Sequence, residues 1–297
     1  MNRLLDAARW VALAVVAAFV VRVLVADWAQ FWHTLHSIAW PAAVLSLAAL
    51  VASIAVSTYG WQVVVDGLGD RVGYRRGARI CLVGQLGKYV PGSVWAYLLQ
   101  MELGRKAGVS RARIFTGSLV QFGIGLVAAL LLSVFALPVA GAARWLLVLL
   151  PIGLVALHPR VLSWGTGLVL RVLRREPQPR PLRLPAIGRA FGASVLGWSL
   201  QGLHLWLLAP SLGFPSCVGA MAIAMTAGTF AFLLPSGAGV REAVLVALLG
   251  TAGFTTGQAL AFALVSRVMF TVADVLTALL AVAGQRTSSY TTASALR

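Results

Sequence analysis

GQLGKYVPGSVWAYLLQ, residues 84–100, and FLLPSGAGVREAVLVALL, residues 232–249, are apolar stretches, each broken by a Pro/Gly turn with charge beside it. Charge and irregular backbone are costly in hydrocarbon unless they are buried in protein or line a wet cavity. Interruptions at matching places in two halves of a chain mark where a transporter binds its cargo. The remaining sequence decides whether both breaks lie at membrane depth.

Hydrophobic residues make up 60% of the 297-residue chain and charged residues 11%, with a mean hydropathy of +0.88. A soluble core needs polar surface between its apolar elements, whereas here apolar runs of roughly 20 residues follow one another closely. The expected class is an all-α polytopic membrane protein. The formal net charge is +16, but the arginines crowd into short connections between apolar runs, which is the positive-inside pattern. Such loops suit anionic headgroups, and no base-reading motif is visible, so nucleic acid is not an expected partner. Cys81 and Cys217 lack metal or redox spacing and read as packing residues. No metal or cofactor is expected.

Arg3 and Arg9 precede the first apolar run, which is long for a signal peptide and reads as a retained helix with Arg22 snorkelling at its far end. DWAQFWHTLHSIAWP then has no Lys or Arg and several interfacial tryptophans, which puts the N-terminus in the cytoplasm. A helix from about Pro41 to Val65 returns to Arg71, Arg75, Arg76 and Arg79. The first break follows, and then a second basic cluster of Arg105, Lys106, Arg111 and Arg113. A re-entrant hairpin keeps both clusters on one side, whereas a single crossing would export the second. Arms of about 14 residues reach about 21 Å, short of the roughly 30 Å hydrocarbon core, so the turn would sit inside the membrane.

Residues 114–137 cross outward and 144–157 cross back to a basic, proline-rich connection at 158–189, part of which suits the membrane surface. Residues 186–208 and 258–283 then bracket the second break, whose hairpin enters from the opposite face. Helix, hairpin, helix thus recurs at 41–137 and 186–283 in opposite orientation, as in an inverted repeat. The expected architecture is one integral membrane domain, residues 1–284, with about six full transmembrane helices and two oppositely entering hairpins. A polar tail, 285–297, follows on the cytoplasmic side.

Pro91 disfavours helix at Val90 and removes a donor, while Gly92 permits a turn, so a helix can restart with Ser93 as N-cap. Pro235, Gly237 and Gly239 allow the same at the second break, with Ser236 a candidate cap. Helix N-termini attract anions. Lys88, just before one turn, and Arg241, just after the other, could join those N-termini around a phosphate, or could instead form salt bridges. Glu242 adjoins Arg241, but neighbours on a helix do not face each other. Its candidate partners are Lys88 and Arg267. Arg267 and Asp274 stand seven apart on nearly one helix face. Asp274 reads as a counter-ion or a proton carrier, and Glu242 as a charge that tunes the site. Gln85, Gln100, Gln121, Gln201 and His204 read singly as helix-packing glue. Glu102 and Glu242 could in principle serve an intramembrane transferase, but Glu102 has Arg105 and Lys106 within one turn and reads as a local ion-pair partner. No nucleophile elbow, metal-spaced set or phosphate loop marks an enzyme.

These residues resemble the lysylphosphatidylglycerol synthase transmembrane-region family, the flippase-like membrane part of the multiple peptide resistance factor and related stand-alone proteins. GKYVPGSVW, with Lys88, Tyr89, Pro91, Gly92 and Ser93, looks like the family's first motif. LPSGAGVREA, with Pro235, Ser236, Gly237, Gly239, Arg241 and Glu242, looks like its second, with Ser236 where the family more often has glycine. Arg267 looks like a further recurring arginine. The resemblance implies movement of lipids with charged or sugar-bearing headgroups across the bacterial cytoplasmic membrane, in some members alongside glycosyltransferases. The expected function is therefore a flippase or transporter of an anionic lipid or polyprenyl-phosphate-linked sugar. The alternative is a nontransporting lipid-binding subunit that supports a glycosyltransferase through residues 158–189.

Overall fold

The computed structural model describes residues 28–90, 94–136, 147–172, 181–231 and 234–294, with residues 21, 22, 25 and 145, and gives only the backbone of 172 and 285–294. The first apolar run and Pro91, Gly92 and Ser93 lie outside the described residues. Among those described, all regular structure is helical.

Helix α1 (Trp28–Ser37) carries the tryptophans expected at the interface, with Trp28 and Trp32 stacked at 5.6 Å one turn apart and both well exposed. Helix α2 (Trp40–Gly67) starts with a proline in its first turn, where a missing N–H costs nothing. The first break follows: α3 (Tyr74–Gln85), a 3-10 turn over Leu86–Tyr89, and α4 (Trp95–Lys106). Helix α5 (Arg111–Leu132) is capped by the Ser110 hydroxyl, which accepts from Arg113 N–H, and ends in a 3-10 turn over Ser133–Ala136. Helices α6 (Leu150–Ala156) and α7 (Pro159–Val172) form a bent pair, Leu147–Ala156 meeting Pro159–Arg171 at 86°.

Helix α8 (Leu184–Leu208) begins two residues ahead of the expected start, because Pro185 is accommodated in the first helical turn. The second break comprises α9 (Phe214–Phe230), a 3-10 turn over Pro235–Gly237 and α10 (Val240–Thr251). Helix α11 (Thr256–Ser294) closes the chain, and its helical backbone continues through residues that the sequence assigns to an aperiodic tail.

Trp40–Gly67, Arg111–Ala136 and Thr256–Gly284 are long and apolar enough to cross a membrane, and the bent pair would make a fourth span if it counts as one. Helix α2 runs antiparallel along α8, with Gly67 facing Ala186, Gly60 facing Ala193 and Gly197 facing Ser57. Small residues at these crossings let the backbones approach where lipid supplies no hydrophobic drive. The main core joins α2, α8, α9, α10 and α11 around Leu50, Leu205, Met221, Leu245 and Leu249. A second core packs Trp61, Val65, Ile80 and Ile114 behind the first break.

Polar bonds at depth fix this frame. Trp61 Nε1 donates to Ser118 Oγ at 2.9 Å, and that hydroxyl donates to Gln100 Oε1 at 2.7 Å. Indole can only donate and the amide oxygen can only accept, so the serine relays one direction of bonding across α2, α5 and α4.

Candidate functional site

In both breaks the two arms pack against each other, and glycine lets them do so. A Cβ on Gly87 would stand 2.7 Å from the backbone nitrogen of Ala96, and one on Gly237 would stand 2.4 Å from the carbonyl oxygen of Gly228. The two turns also touch: Leu86–Tyr89 packs against Pro235–Gly237. Breaks about 150 residues apart in sequence thus meet in space.

Helix α11 ties both together. Asp274 Oδ2 receives the Lys88 ammonium at 2.7 Å and the Tyr89 hydroxyl, which donates at 2.6 Å. Seven residues earlier, or about 10 Å along the axis at 1.5 Å per residue, Arg267 Nη1 donates to Glu242 Oε1 at 2.8 Å. The carboxylates are the buried members of these pairs, with side chains 7% and 6% exposed, whereas Lys88 and Arg267 are 30% and 28% exposed. The cations therefore present their open sides outward while the anions anchor them from within.

Glu242 has a second task. It is the third residue of α10, and its Oε2 accepts the Gly239 N–H at 2.6 Å, satisfying a donor at the helix start and placing negative charge where the helix dipole favours it. This corrects the expectation that Ser236 caps the helix. Gly239 flanks α10, and Ser236 sits within the preceding turn at φ 51° and ψ 33°. A non-glycine residue in the left-handed region is strained by roughly 1–2 kcal/mol. Ser236→Gly should therefore stabilise the protein by about 0.5–1 kcal/mol after the extra unfolded-state freedom of glycine is subtracted. Unfolding in mixed detergent micelles measures this, and a loss of stability would contradict the strain assignment.

Arg241 points the other way from Glu242. Its guanidinium lies 4.2 Å above the Phe270 ring, and Nη2 donates to Ser266 Oγ at 2.7 Å. Among the described residues no carboxylate stands within salt-bridge distance of it. Ser266 Oγ is also 2.9 Å from His204 Nε2, and His204 Nδ1 is 2.5 Å from Ser46 Oγ. Arginine cannot accept, so the Ser266 hydroxyl accepts from Arg241 and also hydrogen-bonds His204 Nε2. The chain crosses α10, α11, α8 and α2, and every member is buried.

Lys88, Tyr89, Pro235, Ser236, Gly237, Gly239, Arg241, Glu242, Arg267 and Asp274 are thus gathered around the contact between the two breaks. Glu102 lies apart, paired with Arg105 at 2.6 Å and with Arg111 at 2.7 Å, and not with Lys106. Gln85 is exposed, Gln121 Nε2 donates to Ser194 Oγ at 3.1 Å, and Gln201 Nε2 donates to Ser53 Oγ at 3.3 Å. Sequence reasoning missed Ser46, Ser266 and Phe270. The available signal was Ser266 and Phe270 one turn apart beside Arg267, polar and aromatic groups on the inward stripe of an otherwise apolar helix.

An all-helical, multi-pass membrane protein with an ion-paired centre built from two interrupted helices is the class that this fold and site define. The chain matches the lysylphosphatidylglycerol synthase TM region over residues 9–278, and it belongs to that family. The family is a membrane domain associated with lipid handling. No curated protein matches the chain.

Proposed function

We propose that this protein is a flippase or transporter of an anionic lipid, or of a polyprenyl-phosphate-linked sugar, in the bacterial cytoplasmic membrane. The observation that carries the reading is the meeting of the two breaks around three cations, Lys88, Arg241 and Arg267, and two carboxylates, Glu242 and Asp274. An excess of one positive charge at a buried, partly open junction suits a phosphate whose tails stay in the bilayer.

In this reading the breaks are re-entrant hairpins that enter from opposite faces, within about six full spans, and both termini are cytoplasmic. Lys88 and Arg267 exchange part of their carboxylate contact for the phosphate as it arrives. Asp274 and Glu242 recapture them as it leaves, so the site never holds bare charge. Rocking of one half against the other opens the junction to alternate sides. No covalent bond is made or broken.

The test is lipid scrambling by the reconstituted protein, with Lys88→Met, Arg241→Met and Arg267→Met compared against the parent. Each should slow transport of fluorescent anionic lipids roughly tenfold or more, because a charge-assisted contact of about 1.5–3 kcal/mol is lost. Unchanged rates with several anionic lipids would sink the proposal. Lipid binding without any transport by the parent protein would instead favour a nontransporting subunit that positions a glycosyltransferase.

A further inference from the structure

A cleft stands away from the ion-paired centre. On the outer side of the α2–α8 pair an open cleft of about 440 Å³ has walls formed by Val56, Tyr59, Tyr74 and Leu196, with Arg189 among its lining residues. Its origin is the same small-residue register that brings the helices together. Ala55, Gly192 and Ala193 keep the floor low, while the flanking aromatic and leucine side chains rise around it. Arg189, Gly192, Ala193 and Leu196 are spaced three and four apart and so share one face of α8. From Arg189 to Leu196 the axis rises by about 10 Å.

The cleft is chemically graded. Arg189 lies near the start of α8, level with the end of α2, where Gly67 faces Ala186. Tyr74 opens α3 amid exposed Arg71, Arg75, Arg76 and Arg79. Arg189 Nε donates to its own helix at Pro185 O over 3.3 Å, and no carboxylate lies within salt-bridge distance among the described residues. The opposite end, toward Leu196, is apolar, and Tyr59, Tyr74 and Leu196 are 43%, 54% and 51% exposed. Tyrosine rings of this kind sit at headgroup level, with the ring in the apolar layer and the hydroxyl in the polar one.

The geometry points to a bound anionic phospholipid, with its phosphate on Arg189 and the tyrosine hydroxyls and one acyl chain lying along the cleft toward Leu196. Charge complementarity selects the class. A zwitterionic lipid would carry its ammonium into a field of arginines, whereas a phosphodiester with a neutral headgroup matches that field. The site is fixed on the α2–α8 frame and does not rest on the transport reading.

Gly192 supplies a clean probe, since a Cβ built there meets nothing within 4 Å. Gly192→Leu therefore starts from an unobstructed Cβ and puts bulk into the cleft, and Arg189→Gln removes the phosphate partner. Native mass spectrometry of the full chain, titrated with phosphatidylglycerol and separately with phosphatidylcholine, reads the first lipid bound. Photo-crosslinking with a tail-labelled phosphatidylglycerol locates it. We expect crosslinks at residues 55–59 and 192–196, and affinity at that position falling roughly tenfold or more in both variants. Lys88→Met should leave these crosslinks in place, which separates this site from the central one. Retention of the crosslinks by either variant, or equal occupancy by phosphatidylcholine, overturns the assignment.

Discussion

Glu242→Ala is expected to destabilise the protein by about 3–5 kcal/mol, the range for removing one partner of a buried ion pair. Two losses coincide. Arg267 loses the carboxylate 2.8 Å away, and the Gly239 N–H loses the acceptor that starts α10. A buried, unsatisfied donor alone costs about 1–3 kcal/mol, while the partial exposure of the Arg267 head lets water offset some of the charge loss.

Glu242→Gln separates the two contributions, because the amide oxygen still accepts from Gly239 but carries no charge. It should cost about 2 kcal/mol, clearly less than the alanine variant. Pairing Glu242→Gln with Arg267→Met should recover part of that loss, since no cation is then left without its partner. Denaturant titration in mixed micelles gives all three values. Equal losses for the glutamine and alanine variants would show that the helix start contributes nothing and that charge alone accounts for the effect.

The same residues show where sequence reasoning reaches and where it stops. Helices α2, α5 and α11 are legible because their apolar runs have one explanation at that length, and the breaks are legible because Pro/Gly turns and charge are improbable in such runs. The pairing of charges is another matter. Lys88 pairs with Asp274, 186 positions away, and nothing local to either residue distinguishes Asp274 from Glu242 as its partner. Only the packing of the Leu86–Tyr89 turn and of α10 against α11 settles it.

Residue type also misleads at the second helix start. Ser236 is the better capping side chain by preference, yet Glu242, placed one turn inside the helix, reaches back to the free N–H. His204 is illegible for a further reason. A lone histidine in an apolar run fits packing and binding equally, and its place in the polar chain from Arg241 to Ser46 follows only from the packing of four helices.

Gly237→Ala carries the other large effect, and it acts through backbone alone. Gly237 has φ 65°, and its added Cβ would lie 2.4 Å from the Gly228 carbonyl oxygen and 2.7 Å from the carbonyl carbon. The left-handed conformation by itself costs an alanine roughly 1–2 kcal/mol. The clash costs more, because the obstacle is α9 backbone and cannot rotate aside like a side chain. Relief requires α9 and the second turn to separate, and Gly228 is itself confined, with a Cβ there 2.9 Å from Arg241 Cβ.

The displacement therefore propagates to Arg241, whose bond to Ser266 and stacking on Phe270 depend on that spacing. A total loss above about 3 kcal/mol is expected, in the range reserved for backbone and packing failures. Gly250→Ala is the matched control. It lies in α10 with nothing within 4 Å of an added Cβ, so better helix propensity should leave stability unchanged or raise it by up to about 1 kcal/mol. Thermal unfolding of the two variants side by side decides the matter: if they melt together, the close approach of α9 to the second turn is not what holds the two breaks in register.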